Sequence, residues 1–165
     1  MHRVLLSVLL SAVFVAAGSS VSFALQPGGV EIGDLETGSV VGQAFKAMDV
    51  DLELNAIEIG GKKVWYPPTA ILNLVSGATG GRAGRPVLLK VTNNMDKEHG
   101  FDLSADSAMA GPTSMHIKLV LAPGETKYIG IPMSDLTYVT ASNLLNYKCQ
   151  LHAAHLGGQL LILTK

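Results

Sequence analysis

Cysteine is nearly missing from this chain, with one in 165 residues, and that scarcity excludes any disulfide within the chain. Charge is sparse too, at 15% Asp, Glu, Lys and Arg, and aromatic residues make up only 5%. With 12 basic residues against 13 acidic ones the formal net charge is −1, so there is no basic field of the kind nucleic acid needs. Long apolar runs are also absent beyond one, Val4 to Ala17, which is shorter than the ~20 residues a membrane-crossing helix requires. Arg3 precedes that run and Ser22-Phe23-Ala24 follows it with small residues at a peptidase-readable site. The pattern is that of a cleavable signal peptide over residues 1–24, giving a periplasmic or secreted protein with no membrane span in the mature chain. The remaining residues suit one domain with a real core.

What is there is strand signal. Residues 49–59 alternate, placing Val50, Leu52, Leu54 and Ala56 on one face and acids on the other. Gly60-Gly61 then marks a turn, and Lys62 to Tyr66 resumes the extended pattern until Pro67-Pro68. Thr69 to Val75, Pro86 to Thr92, His116 to Leu121, Lys127 to Ile131 and Gln159 to Thr164 read as further strands. Seven or eight short strands between frequent turns predict an all-β, Greek-key antiparallel β-sandwich or barrel over residues 49–165. Short helical turns are expected near 43–48 and from Met133 towards Asn146. The Gly-rich stretch within 25–48 reads as an N-terminal arm or linker, which leaves a homo-oligomer open.

The chemistry concentrates near the C-terminus. Cys149 stands three residues before His152 and six before His155, which is metal-ligand spacing. A lone cysteine is by default a buried apolar residue, but two histidines within six residues reverse that preference. Thiolate with imidazole selects copper or zinc. His99 opens the strand after the Asn93 to Lys97 turn, and a strand start at the same end of a sandwich can bring it to the same ion. His116 has no partner by spacing and reads as structural or surface. Met109, Met115 and Met133 read as core fillers rather than soft axial donors, and Trp65-Tyr66-Pro67-Pro68 as an aromatic core anchor at a strand end rather than a docking patch.

Taken together, Asn93-Asn94 ahead of His99-Gly100-Phe101, then Ala122-Pro123-Gly124-Glu125-Thr126, then Tyr147-Lys148-Cys149-Gln150-Leu151-His152 resemble the cupredoxin family, small copper-binding β-sandwiches. The resemblance implies one mononuclear copper ion held by His99, Cys149 and His152, with His155 standing where amicyanin-like members carry an axial methionine. Cys149 to His152, His155-Leu156-Gly157-Gly158 and the turn from Pro123 to Lys127 are similar to the nitrosocyanin-like red copper proteins, which carry a glutamate where this chain has His99. Adjacent strand residues face opposite ways, so Glu98 and His99 do not bind together, and His99 is preferred. The function implied is electron transfer with a redox partner protein rather than enzymatic catalysis. Two alternatives stay open: a nitrosocyanin-like redox or nitric-oxide-reactive copper site, and a non-redox zinc site, since one cysteine and three histidines close a tetrahedron.

Overall fold

The computed structural model describes residues 29–74, 84–105, 115–138 and 143–164. The signal peptide, residues 25–28 of the arm and Met109 lie outside the described residues. The elements are β1 (Glu31–Gly33), β2 (Ser39–Val40), β3 (Gln43–Ala44), a 3-10 turn (Phe45–Ala47), β4 (Leu52–Ile59), β5 (Lys62–Tyr66), β6 (Thr69–Asn73), β7 (Val87–Asn93), β8 (His99–Ala105), β9 (His116–Leu121), β10 (Thr126–Ile131), α1 (Met133–Tyr138), β11 (Leu144–Lys148) and β12 (Gly158–Leu163). Among the described residues no helix is long and apolar enough to cross a membrane.

Two five-stranded sheets form an all-β sandwich, in the orders β1-β10-β7-β4-β5 and β6-β12-β11-β8-β9. Most pairings are antiparallel, as expected, but β4 with β7 and β6 with β12 run parallel. Alternation along the strands supplies the core. In β4 the inward positions are Leu54 and Ala56, whereas Val50 lies ahead of the strand and is exposed. β7 and β8 are buried nearly throughout, and each has a strand on both sides. Trp65, Phe101, Leu103, Ile117, Leu145 and Tyr147 fill the space between the sheets. Burying one such large side chain contributes about 1.5–3 kcal/mol.

The segment expected as an arm is in part sheet. β1 pairs antiparallel with β10, Ile32 opposite Ile129, and so forms an edge of the first sheet. Behind it Val40, Phe45 and Leu88 make a second, smaller core with Leu35, Met48 and Tyr128 packed against it. The glycines are what permit this: a Cβ on Gly38 would lie 2.1 Å from the Phe45 ring, and one on Gly130 2.6 Å from Phe45 and Val40. Lys127 donates to Asp34 at 2.9 Å, which raises the pKa of the lysine and ties β10 to the turn after β1. The helical turn expected at 43–48 is the 3-10 turn. The helix from Met133 ends at Tyr138, and Leu144–Lys148 is instead a central strand paired with β8 and β12, because two flanking strands outweigh local helix preference there.

Candidate metal centre

Three elements of the second sheet deliver the four residues predicted to bind metal. His99 is the first residue of β8, opposite Leu121 of β9. Cys149 directly follows β11, and His152 and His155 lie in the loop that returns to β12. The His155 N–H donates to the His152 carbonyl at 3.0 Å, closing a turn that holds both rings on one side. His99, Cys149 and His155 are buried and His152 is half-buried. Glu98 is exposed, directly ahead of β8.

The structure brings all four side chains together. The Cys149 Sγ lies 3.8 Å from His99 Nδ1 and 3.5 Å from His152 Nδ1. His155 Nδ1 lies 3.1 Å from His99 Nδ1. The donor atoms of His99, Cys149 and His155 all fall within 4.8 Å of one another. Donors on a shell of roughly 2.0–2.3 Å around one ion are separated by about 3–3.8 Å, the range of the three close approaches, and His152 joins the group of three through Cys149. All the close approaches run through Nδ1, which gives the rings a common direction.

Electrostatics prepare the donors. The pKa of His99 is lowered to about 4, first by burial, then by His155 and His152 and by Lys63, with Asp96 opposing. That of His155 is also lowered, mainly by burial, against the neighbouring Val64 backbone and with His152 and Lys63 adding to the fall. At neutral pH His99 is therefore neutral and its lone pair is free for a cation. Two buried Nδ1 atoms 3.1 Å apart are compatible only if one carries a proton or a cation lies between them.

The residues that hold the site in place were not read from the sequence. Fully buried Asn93 donates through Nδ2 to the carbonyls of Lys97, Leu121 and Ala122 at 2.7, 3.1 and 3.0 Å, and accepts from the Met95 N–H at 3.1 Å. It fastens the turn before His99 to the end of β9, and its only signal was the Asn93-Asn94 pair. Gln150 donates to the Leu119 carbonyl at 3.0 Å and lies over Gly100, where a Cβ would come within 2.3 Å of its amide oxygen. Trp65 is a core anchor, as expected, and its ring also stacks on His155. His116 is a surface residue 3.2 Å from Asp102 and takes no part in the cluster. Met115 and Met133 pack with the core, as expected.

No family model matches the chain, and neither does any curated protein. Among solved structures it is similar to an amicyanin variant in its reduced Cu(I) form, with 11% identity over 70% of this chain and 84% of that one and a TM-score of 0.42. It is also similar to a purple cupredoxin from Nitrosopumilus maritimus, with 12% identity over 68% of this chain and 99% of that one and a TM-score of 0.43. A dithionite-reduced auracyanin from Roseiflexus castenholzii gives 12% identity over 67% of this chain and 94% of that one, with a TM-score of 0.44.

Proposed function

We propose that the protein is an exported, cupredoxin-type electron carrier in which His99, Cys149, His152 and His155 hold one copper ion. The observation that carries this reading is the buried cluster of His99, Cys149 and His155, whose donor atoms lie within 4.8 Å of one another, with His152 Nδ1 3.5 Å from the Cys149 sulfur. Copper bound there would supply a one-electron Cu(II)/Cu(I) couple. The chain contributes the rest. His99 and Cys149 are fixed by adjacent strands of one sheet and shielded from water, so the donors keep one arrangement whichever charge they surround. Imidazole from His155 in place of a thioether is a harder donor, which favours the oxidised state and lowers the reduction potential. Half-buried His152 is the cluster's opening to solvent, and exposed Leu151 and Leu156 flank it, so a redox partner protein would dock there on an apolar rim.

The test is visible absorption. Copper-loaded protein should show intense thiolate-to-copper charge transfer that Cys149→Ser abolishes. A colourless Cu(II) form of the intact protein, or tight zinc binding with no coloured copper form, would contradict the reading. A second reading, a nitrosocyanin-like reactive copper site, is favoured by the nitrogen donor His155 at the fourth position. Electron paramagnetic resonance separates the two. A spectrum unmoved by azide or nitric oxide belongs to the carrier, and a spectrum that shifts belongs to the reactive site.

A further inference from the structure

We infer that Trp65, a residue of the opposite sheet, is a positioning residue for the fourth donor, its indole face holding the His155 imidazole turned towards His99 and Cys149. The inference rests on the metal-centre reading above and deepens it by naming what keeps His155 in place. The two ring planes are 6° apart with centroids separated by 5.6 Å, an offset stack within the favourable range for aromatic pairs. Trp65 is fully buried and is itself immobilised: Phe101 meets it edge to face at 5.0 Å and 72°, and Phe101 in turn packs on Tyr147 at 6.2 Å.

The backbone around His155 is fastened to the same strand. The Trp65 N–H donates to the Leu156 carbonyl and the Leu156 N–H donates to the Lys63 carbonyl, both at 2.9 Å, so the residue after His155 is bonded on either side of Val64. These bonds fix the Cα of His155 but leave its ring free to turn. A metal-binding histidine is ordinarily oriented by a polar partner on its other ring nitrogen. Here His155 Nε2 is buried without a hydrogen bond of full geometry among the described residues, and the Val64 backbone offers the ring only a looser polar contact, which leaves the indole face as the contact that fixes the ring plane. The indole nitrogen of Trp65 is equally without a partner, which means the ring contributes its face and not its N–H.

The experiment is a double-mutant cycle on the full chain. Trp65→Leu and Trp65→Phe are each made alone and on a His155→Ala background, and copper affinity, visible absorption and reduction potential are measured. Trp65→Leu should weaken copper affinity by about 10- to 100-fold, the usual effect of losing an orienting contact, and move the absorption towards that of His155→Ala. Trp65→Phe should restore most of both. On the His155→Ala background either substitution should change affinity by no more than about twofold. Wild-type absorption in Trp65→Leu, or an equal loss of affinity on both backgrounds, would overturn the assignment, the latter because plain packing does not depend on His155. If Trp65→Leu does not fold, the metal-free Trp65→Phe chain decides by nuclear magnetic resonance. The His155 ring protons should be shifted upfield by the indole in wild type and altered in that variant, and unshifted protons in wild type overturn the stack. Failure of the copper reading looks different, since wild type itself would then lack thiolate absorption.

Discussion

At the scale of single residues, the two glycines after His155 are required by what lies against them. A Cβ on Gly157 would sit 2.3 Å from the Tyr147 carbonyl oxygen, and one on Gly158 2.4 Å from the Tyr147 ring, whose hydroxyl donates to the Pro67 carbonyl. Neither group can step aside. Gly157→Ala should therefore lower the stability of the metal-free protein by about 2 kcal/mol or more and weaken copper binding, as measured by chemical denaturation and by copper titration. A variant as stable as wild type would show that the turn has slack. His99 gives a second expectation. Its folded pKa of about 4 lies below the ordinary 6.5, so on acidification the unfolded chain takes up its proton first. Stability is complete above about pH 6.5 and is lost progressively as pH falls towards 4, by up to roughly 3 kcal/mol for this one group. Buried His155 shifts in the same direction and adds to the loss. Thermal unfolding of metal-free protein across that range checks the sign, and a midpoint independent of pH would contradict it.

Among the elements, the loop from β11 to β12 was legible because three of the proposed donors, Cys149, His152 and His155, stand three residues apart and need no tertiary information to be grouped. Their fourth companion, His99, came from its place at a strand start and from the family resemblance, and it is 3.8 Å from Cys149. The strand at Leu144–Lys148 was hidden within a stretch with a helix-start signal, and only its neighbours β8 and β12 make it extended. β1 escaped notice for a related reason. At three residues it is too short to show a period, and its pairing with β10 lies about a hundred residues away in sequence. Its neighbour Phe45 supplies an element-scale prediction. Phe45→Ala should cost about 3–5 kcal/mol, seen by denaturation, yet leave copper affinity within about twofold, because the small core of Val40, Phe45 and Leu88 is separate from the one that holds the donors. A large loss of affinity would show that the two cores are coupled.

For the molecule as a whole, the alternation of apolar residues was enough to predict a β-sandwich, since period two with frequent turns has few other solutions. It did not carry the two parallel pairings or the strand order, which depend on partners distant in sequence. The same limit applies to the site. The proposed donors of the loop are written locally, whereas the Trp65 stack on His155 joins a strand of one sheet to a loop of the other and becomes visible only in three dimensions. In this account the sandwich is a rigid frame that gathers His99, Cys149 and His155, with His152 beside the cysteine, to hold one copper ion, and it closes water out on the first three. X-ray absorption at the copper edge of the loaded protein tests that claim most directly. The account predicts one sulfur in the first shell with imidazole nitrogens around it, the sulfur disappearing in Cys149→Ser; a first shell of nitrogen and oxygen alone in the wild-type protein would contradict it.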